Sequence, residues 1–561
     1  MARRIRWQIL IASVTSLIVL GLMGYLALTT AAVSRPLAGG TFVEALTTLP
    51  RQLNPLVSDP AREPASADVQ ALVFEGLMRI EETGLPEPAL AENWPEISDD
   101  GRVYTFTLRS DVTWHDGAPL TVDDVLFTLR AVQGPNFFGN PTAASLWRNV
   151  VIDKIGDRQI RCTLPAPFAP FLSQATFPIL PAHLLADIPP AEWSSADFGR
   201  QPVGSGPYMI SEATDQRIRL TPNPNYQGEQ PFLEQIEFRL FGTTQEATLA
   251  LARNEISAVG YPAGDLARQI NLPNTAVRHS VPLDGYTVLT FNLREQPLSD
   301  QGLRRALATG LNKDELIAQV LAGQAEPLDT PILPGSWAGT RDITWYAPDR
   351  ERAGQLLAEL GYVPGPDGVL AKDGVRLVLP LITDEDRAPV AREIARQWGE
   401  LGVRVEVAQL DPDSLRTQLE ERRFTLALHG WQRLGPDPDM LELWHSERAE
   451  SGRNYAGLED ERIDTLLETG RESIDPGARL AAYREFQQRW VELAPSIALY
   501  QPLYTYNTTA QLGGLDFDRQ PGNANAPLIT LLLGREDRFR NVTRWFVRSS
   551  REIRGELRSA P

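Results

Sequence analysis

The chain has 561 residues and a formal net charge of -18, with 54 basic and 72 acidic side chains. That length exceeds what one hydrophobic core organises and allows two or three lobes. So acidic a balance argues against nucleic-acid binding, which needs clustered cations on phosphate, and the single cysteine, Cys162, excludes an internal disulfide framework.

The first eight residues hold Arg3, Arg4 and Arg6, and an apolar run follows from Ile9 to Leu28. Basic residues stay on the cytoplasmic side, so this order predicts export of the downstream chain. The run is long enough to span a bilayer as a helix. Secretory apolar cores are usually shorter, about 7–15 residues. Ala32-Val33-Ser34 nevertheless offers the small residues of a cleavage site. Residues 9–34 therefore read as a transmembrane anchor or a signal peptide, with the length favouring the anchor. Arg35 to Gly40 is expected to be a short tether. No cysteine follows the run to carry a lipid.

Beyond Gly40 the signals are mixed. Asp100-Gly101 is a turn, and Tyr104, Phe106 and Leu108 then alternate with polar residues at the period of a half-buried strand. Thr121 with Asp124 predicts a capped helix whose apolar face holds Val125, Leu126, Leu129 and Val132. Cys162 lies in step with the apolar Ile160 and Leu164 and reads as a small buried hydrophobe. From 350 to 410 the pattern is clearer. A helical stripe (Ala353, Leu356, Leu357, Leu360) precedes an apolar strand from Val375 to Ile382. A second stripe (Ala391, Ile394, Ala395, Trp398, Leu401) precedes an alternating strand at Val403, Val405 and Val407. Helix–strand–helix–strand order predicts an α/β lobe. Phe424, Leu426 and Leu428 add a further strand. The tail from 548 to 561 is charged and is expected to fray, after a last element that ends near Val547.

Catalytic constellations are scarce. His115, His183, His279, His429 and His445 form no H-E-x-x-H, and Gly204-Ser205-Gly206 lacks the spacing of a nucleophile elbow. There is no phosphate loop and no dinucleotide fingerprint. Asp411, Asp413, Asp437 and Asp439 flank prolines at spacings unlike a calcium loop and read as turn residues. No enzyme activity, metal or cofactor is expected.

One segment reads as a ligand site on physical grounds. The strand Phe424 to Leu428 runs into a loop holding Gly430, Trp431, Arg433, Leu434 and Asp437. In open α/β sheets ligands bind outside the carboxyl ends of strands. Trp431 can cover a ligand backbone, Arg433 can pair with a carboxylate, and Asp437 can accept from an amine. The structural alternatives are packing for Trp431 and a turn cap for Asp437.

Tags along the chain resemble one family. Ala71 to Leu129 is similar almost position for position to the signature region of the peptide-type solute-binding proteins that serve ABC importers. Leu53-Asn54-Pro55-Leu56, Pro202 to Tyr208 (PVGSGPY), Asn223 to Gly228 (NPNYQG), Arg304 to Leu307, Asn312 to Glu315, Tyr346 to Asp349, Gly430-Trp431 and Pro436-Asp437-Pro438 resemble further tags of that family, in its order. The resemblance covers about Gly40 to Trp545. It implies a three-lobed α/β clam-shell of the periplasmic-binding-protein type, with mixed sheets and ligand captured by hinge closure. Residues 40–70, 203–288 and 500–547 would form lobe I, 71–202 lobe II and 289–499 lobe III. It further implies a peptide or other small-solute ligand, ABC permease partners and an extracytoplasmic location. In the peptide binders of this family an aspartate three residues after the tryptophan commonly holds the ligand's α-amino group; that position here is Leu434. Another acid, such as Asp437, then takes the role, or the ligand has no free amino terminus. A membrane-tethered solute sensor is the alternative reading, ahead of an exported hydrolase.

Overall fold

The computed structural model describes residues 7, 14–23, 32–60, 62–81, 84–134, 146–261, 276–340, 343, 346–515 and 532–553. Its main element is a 12-stranded mixed sheet. One half carries, from its edge inward, Arg404–Gln409, Val378–Thr383, Leu426–Gln432 and Gly285–Phe291. The other half carries Ala258–Tyr261, Thr41–Leu46, Gln235–Leu240, Arg217–Pro222 and Tyr208–Ala213. Between them lies the long strand Ser496–Thr509, which pairs with both. The half containing Thr41–Leu46 is called the first half, and the half containing Leu426–Gln432 the second.

Strand directions fix where the halves meet. In the second half Val378–Thr383 is parallel to Arg404–Gln409 and to Leu426–Gln432. Leu426–Gln432 is antiparallel to Gly285–Phe291, which is antiparallel to Ser496–Thr509. The three parallel strands therefore run with Ser496–Thr509. In the first half Thr41–Leu46 is parallel to Gln235–Leu240 and Ala258–Tyr261, and the last is antiparallel to Ser496–Thr509. The two parallel sets thus run toward each other. Gly285 pairs with Gln432 just beyond the Thr287–Tyr500 pair, and Tyr261 pairs with Thr505. Both sets of carboxyl ends therefore come level with Gln501 to Thr505. Gly285–Phe291 and Ser496–Thr509 are buried along almost their whole length, as strands covered on both faces must be.

The α/β unit predicted over 350–410 is present. Helix Ala388–Gly399 joins the parallel strands Val378–Thr383 and Arg404–Gln409 and buries Val390, Ala391, Ile394 and Trp398. The Trp398 indole donates to the Leu307 carbonyl at 3.0 Å, so its one polar atom is satisfied inside the core. The strand expected from Val375 to Ile382 is divided. Val375–Arg376 belongs to a three-stranded ribbon, and Val378–Thr383 to the main sheet. Leu377 serves both, donating to Leu370 and accepting from Arg404. In a separate four-stranded sheet, Val103–Thr107 buries Tyr104 and Phe106 as the alternation requires. Helix Val122–Gln133 begins as predicted, with the Thr121 N–H donating to Asp124 Oδ2 at 2.8 Å.

The family-like tags converge on one joint. The Glu75 carboxylate accepts from Ser205 Oγ (3.1 Å), Tyr226 OH (3.2 Å) and Gln227 Nε2 (2.8 Å). Burial pushes its acid up, against those three donors. A Cβ on Gly204 would lie 1.9 Å from the Val73 carbonyl oxygen. His115 Nε2 and Asn223 Nδ2 both reach the Gly206 carbonyl, at 3.0 and 3.2 Å. Segments more than a hundred residues apart are thus held by buried polar contacts, and His115 and Ser205 are structural.

Residues 535–545 close the first half. Phe539, Val542 and Trp545 pack into the core with Phe42 and Phe238. Beside them Arg538, only 1% exposed at its side chain, pairs with Glu44 and Asp68 at 2.6 Å each. Arg535 also pairs with Asp68, at 2.5 Å, and Tyr506 donates to Glu44 at 2.8 Å.

Two expectations about the ends change. Ala32–Leu37 and Arg548–Ile553 form an antiparallel pair. The free tether at Arg35 to Gly40 and the frayed tail from 548 are replaced there by strands that satisfy each other's backbone groups. Residues 14–23 are helical. Among the described residues no helix is long and apolar enough to cross a membrane. The remainder of the apolar run, nearly all of the basic start and residues 554–561 lie outside the described residues.

Candidate ligand-binding site

The facing carboxyl ends define the candidate site, since ligands of α/β sheets bind at such edges. On the first half a groove of about 1140 Å³ opens beyond Leu46 and Leu240. Its polar wall includes Thr47, Arg51, Arg62, Asp197, Arg200 and Asp215.

On the second half the strand that carries the predicted site is longer than expected. It runs from Leu426 to Gln432, so Gly430 and Trp431 are strand residues and the loop begins at Arg433. The reason is pairing: Gly285–Phe291 continues opposite it as far as Gln432. Trp431 stacks on Tyr455 with ring centroids 5.4 Å apart and planes 18° apart. The His429 ring meets Trp431 edge-on at 5.3 Å. His429 is buried against Thr290 Oγ1 at 2.9 Å. Burial, then the nearby Arg387 charge, push its pKa down to about 3, so the imidazole is neutral. Gly430 lets Arg387 approach: a Cβ there would lie 2.5 Å from an Arg387 guanidinium nitrogen and would displace it. Arg387 is held in turn by Asp384, its neighbour in the turn after Val378–Thr383.

The structure corrects the roles expected for two loop residues. Arg433, at φ 53°, gives both guanidinium nitrogens to Glu536, at 2.7 and 3.1 Å, and one of them to the Pro60 carbonyl at 3.3 Å. The carboxylate it holds belongs to the protein. Asp437 is likewise occupied, by Arg479 at 2.6 and 2.8 Å. Burial pushes Asp437 up to about 6 against the pull of Arg479. It is an internal counter-ion to Arg479. Leu434 packs on an apolar cluster that contains Tyr286 and Trp444. Among the described residues no group of three or more His, Cys, Asp or Glu side chains is placed to hold a metal.

Further contacts cross between the regions that face each other here. Ala169 N–H donates to the Arg471 carbonyl at 2.8 Å, and the Arg471 guanidinium lies 5.8 Å from the Phe168 ring centroid. Sequence reasoning missed Tyr455, Arg387 and Asp284. Asp284 lies in a short link between two segments that both pair antiparallel with Ser496–Thr509, a placement that no local signal reveals. Tyr455 and Arg387 reach the site from other segments by tertiary packing and carried none.

A family model described as "Bacterial extracellular solute-binding proteins, family 5 Middle" matches residues 86–451. The oligopeptide-binding protein AppA of Bacillus subtilis is 27% identical over 480 residues, covering 83% of this chain and 87% of AppA. Protein XP55 of Streptomyces lividans is 30% identical over 455 residues, covering 76% and 78%. Among solved structures, AppA from Bacillus subtilis in complex with a nonapeptide aligns at TM-score 0.66 and 25% identity, over 91% of this chain and 99% of that one. HbpA2 from Haemophilus parasuis aligns at TM-score 0.75 and 23% identity, over 85% and 96%. By fold, by ordered tags and by the match over most of its length, the chain belongs to the bacterial extracellular solute-binding proteins of family 5.

Proposed function

We propose that the protein captures a peptide, or a similar small solute, between the two halves of its sheet and delivers it to an ABC permease. The observation that carries this reading is the pair of opposed parallel strand sets, whose carboxyl ends face each other at the level of Gln501 to Thr505. Relatives named for oligopeptide and dipeptide binding support peptide as the ligand class. We assign residues 40–70, 203–288 and 500–547 to lobe I, 71–202 to lobe II and 289–499 to lobe III. Gly285–Phe291 and Ser496–Thr509 are the strands through which the outer lobes are joined, and hinge motion acts there. Arg433 with Glu536, and Arg471 with Ala169, are contacts of the closed state. Trp431 with Tyr455 forms the apolar wall over the ligand, and Gly430 leaves room for Arg387. Asp437 supports the loop. The protein acts by binding alone, a population shift toward the closed form set by the ligand's differential affinity. Residues 9–34 anchor it to, or direct it across, the membrane, and the binding lobes work on the extracytoplasmic side.

The test is direct. The full chain, purified in detergent, is expected to carry a small solute that mass spectrometry identifies. It is also expected to melt at a higher temperature with added peptides. A protein free of solute that peptides, sugars and metal chelates all leave unshifted would overturn the reading.

A further inference from the structure

Asp284 lies at the start of Gly285–Phe291, between that strand and the loop that follows Trp431. Its Oδ2 accepts from the Gly435 N–H at 2.7 Å, and its carbonyl accepts from the Arg433 N–H at 2.9 Å. Its own N–H donates to the Leu532 carbonyl at 2.7 Å. One residue thus joins the site loop to the segment that closes the first half. The side chain is buried, yet Oδ1 has no hydrogen-bond partner. A carboxylate has about four lone-pair positions, and one left empty inside a protein is costly.

Other enclosed acids have both oxygens engaged; Glu75 does so with neutral donors alone. Glu44 and Asp68 share Arg538, Glu237 is held by Arg219 and Arg239, and Asp437 is held by Arg479. The cation near Asp284 is Arg433, which is committed to Glu536. Asp537, the adjacent acid, bonds the Leu533 N–H and Arg540. Asp284 therefore combines a buried carboxylate, an unused oxygen and no cation of its own, one hydrogen bond from the loop that holds Leu434.

We propose that Asp284 accepts a cationic nitrogen of the ligand, such as a peptide's terminal ammonium, in the role for which Leu434 offers no carboxylate. The inference rests on the reading of the protein as a solute binder. It commits to a ligand with an ammonium group that enters as the halves close, because Asp284 is covered from both sides in the structure. Burial first, then the charge of Asp537, push the Asp284 acid up to about 7, against the Gly435 and Leu434 N–H groups and the Arg433 charge. Without the guest the carboxyl holds a proton in mildly acidic solution; the ammonium takes its place. Capture of the cation therefore releases a proton.

The experiment uses the full chain in detergent, with trialanine and N-acetyl-trialanine as probes, in isothermal calorimetry. Wild type is expected to favour the free-amino form and to release close to one proton at pH 6, read from two buffers of different ionisation heat. Asp284→Asn keeps an acceptor for the Gly435 N–H. It is expected to lose about 30-fold in affinity for trialanine, the effect of removing one partner of a buried charge pair. Its affinity for the acetylated form is expected to stay unchanged, and its melting temperature at pH 6 is expected not to fall below that of wild type. Equal binding of both probes by wild type, or full trialanine affinity in Asp284→Asn, would overturn the assignment and leave solute capture standing. Binding without proton release overturns it too, and that result needs no variant. If neither probe binds, the assignment falls, while the co-purified solute decides the broader reading independently.

Discussion

Two buried charged clusters in this molecule are built on opposite principles. The cluster of Arg538, Glu44, Asp68, Arg535 and Tyr506 lies wholly on the first-half side and matches its acids to guanidinium groups. The cluster of Asp284, Arg433 and Glu536 lies where the halves face each other and leaves one carboxylate oxygen unmatched. The difference separates two uses of buried charge. A network whose acids all have cations fixes one arrangement of segments, and much of its desolvation cost is offset inside a single body, although Arg535 Nε and Arg538 Nε have no acceptor. A carboxylate without a cation, placed where the halves face each other, can respond to a partner. Five measurements test that contrast.

The largest effect is expected from Arg538→Met, which leaves Glu44 in the core without a cation and Asp68 with Arg535 alone. Removing one member of a buried ion set costs about 3–5 kcal/mol, and chemical unfolding should show a loss of that size. Next is the pH dependence that Asp284 imposes. Its folded pKa lies at about 7, above the unfolded value of about 3.9. Its contribution to stability is therefore full below the lower value and lost as pH rises through about 7. Unfolding of the ligand-free chain between pH 4 and 8 should show a decline of a few kcal/mol, at about 1.4 kcal/mol for each tenfold difference in proton affinity between the folded and unfolded chain, and Asp284→Asn should flatten it. Asp68, whose pKa is instead lowered, acts with the opposite sign and loses its contribution in acid. Trp431→Ala removes the stack on Tyr455, worth about 0.5–1.5 kcal/mol beyond its area. Solute affinity should fall about tenfold, with a smaller loss in melting temperature. Arg433→Ala should cost about 1 kcal/mol or less, because the pair with Glu536 is partly exposed. Its signature is a larger radius of gyration by X-ray scattering. Cys162 distinguishes these outcomes. It is buried, and burial pushes its thiol up to about 12, so it should resist alkylation in wild type and Arg433→Ala. Faster labelling is expected in Arg538→Met alone.

Much of the fold was legible because its signals are local. The Thr121–Asp124 cap, the Tyr104–Phe106 alternation and the unit from Arg350 to Gln409 follow from short-range periodicity and capping chemistry. Asn312 makes half of a capping box with Glu315. Its Oδ1 accepts from the Glu315 N–H at 3.0 Å, but its own N–H goes to Gln397 rather than to Glu315. The site was less legible because its residues are defined by partners far away in sequence. Arg433 and Asp437 carry the right chemistry for a ligand, yet Glu536 and Arg479 claim them. Trp431 was found, but its partner Tyr455 was not. Gly430 looked like the start of a loop because nothing local reveals that Tyr286 and Thr287 continue the ladder opposite it. The family-like tags proved to be joints: Glu75, Ser205, Tyr226 and Gln227 are one contact written in three places.

The long strand Ser496–Thr509 has a consequence for biogenesis. Ala258–Tyr261 and Gly285–Phe291 both need it as a neighbour, and Phe539, Val542 and Trp545 behind it complete the first core. Ribosomes make this strand only after nearly all of the residues it joins. Until then the strands on either side of it have open edges, and the two parallel sets have no common reference along the chain. A nascent chain in that condition is poorly able to lock into its final form. That delay suits a polypeptide that must stay loose enough to be threaded through a translocation channel before it folds.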